Sequence, residues 1–317
     1  MTTKNSYSIA INGAGFMSKE HLKAFSKINN VKLSGIYSRT RSKAEFLASE
    51  FHIENVYNSI EDLYQNTHAD LVVISVPELN TKDVCEIAFK FPWVCLIEKP
   101  VGYNLINAFE IQTLVERYNT KAFVALNRRH YSSTRLILED LKINNEIRTV
   151  HVFDQENPKV ALDGGTPKLV VDNWMYANSI HIIDYFTFLC RGSLISVEHI
   201  NKCIPGKPCF VLSKLIFSTG DIGIYEAIWE GPGPWAVTVS TPSKRWELRP
   251  LEELRTQEYK SRKSILQDLH VWDTDFKPGL RLQAEEVIKV LKGEAHQLPT
   301  LKDALITMDI INKIYCV

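Results

Sequence analysis

Apolar and polar residues alternate along Tyr7-Ser8-Ile9-Ala10-Ile11, the period-two pattern of a strand. The run enters Gly13-Ala14-Gly15-Phe16-Met17-Ser18, after which His21, Leu22, Phe25 and Ile28 recur at helical spacing. The same exchange of periods continues for over a hundred residues. Residues 31–37 read as a strand and 42–51 as a helix, and Ser59-Ile60-Glu61-Asp62 reads as a capping box opening a short helix. The uninterrupted apolar run 71–76 predicts a fully buried strand that Pro77 stops. A helix over 81–89, a strand over 93–97, a helix capped by Asn104 and running to Tyr118, and a sixth strand over 121–126 complete the series. Such alternation predicts a parallel, doubly wound sheet.

Beyond Asn127-Arg128-Arg129-His130 the pattern changes. A helix over 132–141 and an alternating strand over 148–156 lead into a long stretch, 157–173, rich in Gly, Pro and Asp. It reads as a loop, and loops of that length inside compact domains are often functional lids. Strand-like runs follow at 197–204, 210–218, 223–229, 235–240 and 245–248, separated by turn signals such as Ser218-Thr219-Gly220-Asp221 and Gly231-Pro232-Gly233-Pro234. They predict an antiparallel meander, hence an α+β half. Helical spacing returns at 279–291 and 300–314. The expected fold class is α/β, with a doubly wound parallel sheet over 1–126 followed by an α+β domain over 127–317. The second domain carries a large, mainly antiparallel open sheet, and the final helix has the option of packing back near the first domain.

Composition narrows the function. With 37 Lys and Arg against 37 Asp and Glu in 317 residues, the chain has no electrostatic footprint for nucleic acid or a membrane surface. No apolar run approaches the roughly 20 residues that span a bilayer, and Met1 to Ser6 is polar, without the apolar stretch of a signal peptide. The six cysteines are scattered without a C-x-x-C pair; they read as reduced thiols of a cytoplasmic protein. No Cys or His pair has metal-ligand spacing, so no metal is expected.

Three places carry candidate chemistry. Strand, glycine turn and helix form the context of a dinucleotide fingerprint: Gly13 allows the tight turn, Gly15 lets backbone approach a pyrophosphate, and the helix start at Phe16 and Met17 offers N–H groups. Ser18 replaces the third glycine and is able to cap the helix. The end of the second strand reads Tyr37-Ser38-Arg39-Thr40-Arg41, with no acid to hold a ribose 2′-OH. Hydroxyls and guanidinium groups there suit a 2′-phosphate and favour NADP over NAD; the other reading is that Arg39 stacks on adenine and NAD is accepted as well. Val76-Pro77 and Glu98-Lys99-Pro100 stand at the carboxyl ends of expected parallel strands, where ligands of open α/β sheets bind. A lysine there can move a proton to or from a substrate oxygen. The third place is Trp174 to Asp184, where His181 and Asp184 share a helix face. A single helix histidine is commonly structural, and Asp184 suits a capping or local pairing role as well.

Taken together, Gly13-Ala14-Gly15, Glu98-Lys99-Pro100, Asn127-Arg128-Arg129, His181-Ile182-Ile183-Asp184 and the closing Leu298-Pro299-Thr300 resemble the family of glucose-fructose oxidoreductase, inositol dehydrogenase and MocA. The resemblance implies a Rossmann domain, a second domain whose sheet serves as an oligomer interface (dimer or tetramer), a cis Lys99-Pro100 bond, and hydride transfer between NAD(P) and a sugar or polyol. It gives Lys99 the acid/base role and His181 a role on the same oxygen. Gly13, Gly15, Phe16, Met17, Ser38, Arg39, Val76, Pro77, Glu98 and Lys99 would hold the cofactor. Asn127, Arg128, Arg129, Trp174, Tyr176, Asn178, Lys99 and His181 would face the substrate. Two departures stand out: Ala177 occupies the position of an Asp found in many members, and Val76-Pro77-Glu78-Leu79-Asn80-Thr81 lacks the usual hydroxyl and imidazole. Gly231 to Trp235 and Arg245 to Pro250 loosely resemble members that act on nucleotide-linked or surface-polysaccharide sugars. The expected function is therefore an NAD(P)-dependent oxidoreductase acting on a sugar, plausibly a nucleotide sugar. The alternatives are a free polyol or keto-sugar dehydrogenase and a non-catalytic NAD(P)-binding sensor.

Overall fold

The computed structural model describes residues 6–143, 145–203 and 209–317. The N-terminal stretch read above, up to Asn5, and Ile204 lie outside the described residues. The chain forms two compact units, one made of 1–130 with 274–304 and the other of 131–273 with 305–317.

The first unit holds five parallel strands: β1 (Tyr7–Asn12), β2 (Val31–Tyr37), β3 (Leu71–Ile74), β4 (Val94–Ile97) and β5 (Ala122–Val124). Their order is β2-β1-β3-β4-β5. The expected count of six is corrected to five; Val56 makes only an isolated bridge to Ile36. The helices Phe16–Phe25, Arg41–Phe51, Ile60–Thr67, Thr81–Ala88 and Leu105–Tyr118 alternate with the strands. Local chemistry sets their starts: Ser59 accepts from the Asp62 N–H and Asn104 from the Asn107 N–H. Ile9, Ile11, Leu71, Val73 and Leu96 of the sheet, and Leu22 and Phe25 of the first helix, form one buried core. Leu280, Ala284, Val287 and Ile288 of helix Leu280–Lys292 join it, as the apolar stripe of that late helix requires. The strand order reverses between β1 and β3, so the carboxyl ends of these two strands flank the crevice where such sheets bind ligands.

The second unit is built on eight strands: β6 (Thr149–Glu156), β7 (Leu194–Asn201), β8 (Phe210–Phe217), β9 (Ile222–Trp229), β10 (Ala236–Ser240), β11 (Lys244–Leu248), β12 (Leu254–Glu258) and β13 (Ile265–Leu266). The order is β13-β12-β11-β10-β6-β9-β8-β7. A plain meander is corrected here: β6 is inserted between β10 and β9 and pairs with β9 in parallel. Every other pairing is antiparallel. The strands β12 and β13 were not expected; Leu-Arg-Thr-Gln-Glu buries only Leu254 and Thr256, too faint an alternation to stand out. The expected loop over 157–173 contains two short helices, Pro158–Asp163 and Lys168–Val171. Asn157 caps the first through the Val160 N–H, with Pro158 in its opening turn, a helix start that Asn-Pro encodes. Val150, Val152, Asp154 and Glu156 occupy the buried face of β6. The single expected helix 174–184 is resolved into a π-helical turn, Met175–Ser179, and the helices Ile180–Ile183 and Tyr185–Leu189.

Cys203 and Cys209 form a disulfide, with Cα atoms 4.8 Å apart, which corrects the expectation that all six thiols are reduced. C-x5-C has no motif to announce a pairing, and only the folded chain brings the two sulfurs together. Among the described residues no helix is long and apolar enough to cross a membrane.

Candidate functional site

The chain leaves β1 at Asn12 and turns at Gly13, whose φ of +125° is a conformation that side chains rarely adopt. A Cβ there would stand 1.9 Å from the Ser75 carbonyl oxygen at the end of β3, so glycine is needed for the two strand ends to close on each other. Gly15 is the N-cap of helix Phe16–Phe25, and no side chain caps that helix. A Cβ at Gly15 would meet nothing within 4 Å. The space a side chain would fill is thus open in front of a helix N-terminus, where backbone N–H groups and the helix dipole attract phosphate. Ser18 does not cap, contrary to expectation: it lies inside the first turn, fully buried, and its hydroxyl meets no protein partner. Asn12 is likewise buried with an unpartnered Nδ2.

These residues border a cleft of about 620 Å³. All ten expected cofactor residues line it: Gly13, Gly15, Phe16, Met17, Ser38, Arg39, Val76, Pro77, Glu98 and Lys99. The open cradle at Gly15 and the orphaned Asn12 amide fit a nicotinamide dinucleotide. At the far end of β2, Arg39 Nη2 donates to Asn80 Oδ1 at 2.8 Å and Ser38 Oγ accepts from the Thr40 N–H. Arg41 turns back to Glu45 and Asn58 and does not line the cleft. Lys43, in the first turn of helix Arg41–Phe51, does line it. It was not picked from the sequence, although its place two residues into the helix after β2 was a usable signal.

The Glu-Lys-Pro segment follows β4. Glu98 is buried and its Oε1 lies 2.6 Å from His21 Nε2, while its Oε2 accepts from the Lys99 N–H. His21 is on the helix that starts at the glycine turn, so the pair ties the lysine's strand end to the phosphate-facing helix. In sequence His21 reads as one more residue of a buried stripe, and nothing local names its partner 77 positions away. Lys99 is half-buried on the cleft wall and the Lys99-Pro100 bond is cis, as expected; Arg249-Pro250 is a second, unexpected cis bond.

Asn127, Arg128 and Arg129 form a short 3₁₀ turn beyond β5. They do not line the cleft. Asn127 is buried and donates to the Pro278 carbonyl at 3.0 Å, and both arginines are half-buried.

The remaining expected site residues belong to the second unit. The π-helical turn Met175–Ser179 packs on β6, and such turns are frequent at functional sites. Trp174 Nε1 donates to Glu156 Oε2 at 2.6 Å, and Asn178 Nδ2 donates to both Glu156 oxygens at 3.2 and 2.9 Å. Tyr176 is buried, and burial, with the Asp309 charge, pushes its phenol up to about 12. His181 is buried on the helix that follows, its ring 6.1 Å from that of Trp235. Asp184 accepts from Thr307 Oγ1 at 2.7 Å and from Thr187 Oγ1, an anchoring role within this unit. Among the described residues no His, Cys, Asp and Glu cluster could hold a metal.

Residues 7–126 match the family described as an oxidoreductase family with an NAD-binding Rossmann fold. An uncharacterised oxidoreductase of Bacillus subtilis, YrbE, is 27% identical over 58% of this chain and 54% of its own length. Glucose-6-phosphate 3-dehydrogenase of the same organism is 29% identical over 45% of this chain and 39% of its own. The chain thus matches about half or less of each of these relatives. A structure of UDP-N-acetylglucosamine 3-dehydrogenase from Acidithiobacillus ferrooxidans has a TM-score of 0.79 at 14% identity, covering 98% of this chain and 96% of that one; at that identity it shows the shared fold. The glycine turn, the cleft and the segment match agree: residues 7–126 are similar to the glucose-fructose oxidoreductase, inositol dehydrogenase and MocA family of oxidoreductases with an NAD-binding Rossmann fold.

Proposed function

We propose that this protein moves a hydride between a nicotinamide dinucleotide and a hydroxyl-bearing carbon of a sugar, with a nucleotide-linked sugar as the leading substrate. The observation that carries the reading is the single cleft that begins at the uncapped helix start of Gly15 and includes Lys99 in its wall. A bound dinucleotide supplies the hydride acceptor or donor, chemistry that side chains lack. Lys99 takes the proton of the reacting hydroxyl in oxidation and returns it in reduction. His181 orients that oxygen, and Arg128, Arg129 and the segment 157–173 serve the rest of the substrate. The sugar dehydrogenases named above support the substrate class. The second sheet supports a homo-oligomer, because Leu212, Ile216, Ile224 and Ile228 are half-exposed on one face of it, interspersed with Lys214 and Glu226.

A nucleotide-sugar enzyme must hold a second pyrophosphate. Added UDP should therefore raise the melting temperature of the dinucleotide complex, since a ligand at about 100 times its Kd adds about 2.7 kcal/mol of apparent stability. A response to free polyols alone would replace the nucleotide sugar by the polyol reading.

The cofactor is proposed to be NADP. Arg39, Lys43 and the hydroxyls of Ser38 and Thr40 surround the end of β2, a cationic and hydroxylated rim suited to a 2′-phosphate. Ser38→Asp should shift preference toward NAD by tenfold or more, about 1.4 kcal/mol. Titration of both reduced cofactors checks it; a wild-type preference for NAD of that size would overturn the assignment.

A further inference from the structure

Asn80 stands where a helix is ordinarily capped and does not cap it. It closes the 3₁₀ turn Glu78–Asn80 beyond β3, its N–H on the Pro77 carbonyl at 2.8 Å. It is also the N-cap residue of helix Thr81–Ala88. Asparagine is among the strongest N-caps, because its side-chain oxygen takes an N–H of the first helical turn. Here no side chain caps the helix. The Asn80 oxygen serves another group: it accepts from Arg39 Nη2 at 2.8 Å, 41 positions back in the chain.

β1 lies between β2 and β3 in the sheet, so this bond spans the strand that carries the glycine turn. It joins the segment after β2 to the segment after β3 at the carboxyl edge of the sheet. Both residues line the cleft.

The chemistry of the partner decides what the bond does. Arg39 is exposed, and an exposed arginine has many rotamers open to it; the bond to Asn80 selects one. An amide does this without charge. Glu78 and Asp83 border the same cleft, yet among the described residues no carboxylate pairs with Arg39. Arg41, two residues on, gives the contrast, since Glu45 takes it as an ion pair at 2.8 Å. The Arg39 guanidinium therefore keeps its full charge. It also keeps four of its five N–H groups for a ligand.

We propose that Asn80 is a positioning residue for the cofactor, holding Arg39 in readiness for the 2′-phosphate of NADP. The inference rests on the dinucleotide function and the NADP assignment proposed above. The rotamer freedom that Arg39 would lose on binding is already lost in the free protein, which strengthens binding by preorganisation. The dianionic 2′-phosphate draws on the guanidinium through charge-assisted hydrogen bonds. NADH carries a neutral hydroxyl at that position and gains little from it.

The test is fluorescence titration of NADPH and of NADH into wild type, Asn80→Ala, Asn80→Asp, Arg39→Ala and the Asn80→Ala/Arg39→Ala double variant. Melting temperatures without cofactor are measured alongside. Because the Asn80 side chain caps nothing, Asn80→Ala should melt near wild type. It should weaken NADPH by roughly 3–10-fold, the cost of ordering one long side chain on binding, and leave NADH within twofold. Asn80→Asp keeps a partner for Arg39 but cancels its charge and faces the phosphate with a carboxylate, so NADPH should weaken further than in Asn80→Ala. In the Arg39→Ala background Asn80→Ala should change nothing more, because Asn80 acts through Arg39. Equal losses for NADPH and NADH would overturn the 2′-phosphate as the group served. A loss that persists in the Arg39→Ala background would overturn the route through Arg39. A wild type that prefers NADPH and is matched by Asn80→Ala would overturn the positioning role and leave the NADP assignment standing. A wild type without preference for NADPH would overturn that assignment, and the positioning role with it.

Discussion

Replacing Lys99 with methionine should lower kcat by roughly 10²–10⁴, the usual contribution of a positioned general acid or base. Lys99 is half-buried in the wall of the cleft, and the contact that fixes its backbone, the Lys99 N–H to Glu98 Oε2, survives the change. Methionine keeps the length and the apolar stem, so dinucleotide titration should still saturate. His181→Asn should lose less, because an amide still donates a hydrogen bond to the substrate oxygen. Circular dichroism and reduced-cofactor fluorescence establish that each variant is folded and binds before rates are compared. Near-normal turnover in Lys99→Met would remove the lysine from the chemical step.

The glycine turn and the Glu-Lys-Pro segment were legible because their chemistry is local. Gly13, Gly15 and the helix behind them lie within a few residues of one another, and a strand followed by Glu98-Lys99-Pro100 places its own end at the sheet's binding edge. What failed to show was non-local. β6 reads correctly as an alternating strand, but nothing in its sequence reveals that it pairs in parallel with β9, more than 70 residues later. His21 and Glu98 meet across a similar gap.

Some of what was missed had left a trace. In the alternation that ends at Glu156, Asp154 and Glu156 fall in phase with Val150 and Val152. Two acids on the buried face of a strand announce either a paired charge or a retained proton. Their partners Trp174 and Asn178 come from a π-helical turn, and the extra residue of such a turn displaces side chains from the 3.6-residue spacing on which helical faces are read. Ser18 was assigned a cap from its residue type, whereas position decides: the cap is Gly15, and Ser18 lies inside the first turn. The helix in 157–173 was signalled by Asn157-Pro158 and obscured by the glycines after it.

Gly15→Val should raise the Kd of the nicotinamide dinucleotide by roughly 100-fold or more, about 2.7 kcal/mol. The two glycines of the turn make different tests. At Gly13 a side chain would collide with backbone at 1.9 Å and would have to adopt a φ of +125°, so a variant there damages the fold and says nothing about binding. At Gly15 φ is −91° and ψ −173°, an extended conformation that valine accepts without strain. Nothing lies within 4 Å of its Cβ, so the protein alone should tolerate the substitution. The added methyl groups then occupy the cleft in front of the helix N-terminus, where a pyrophosphate would take charge-assisted hydrogen bonds worth about 1.5–3 kcal/mol each. Melting temperature without cofactor should stay near that of wild type, and the stabilisation by added cofactor should disappear. An unchanged fluorescence titration of NADH and NADPH in a folded Gly15→Val protein would show that the dinucleotide does not bind at this turn, and the oxidoreductase reading would lose its anchor in this chain.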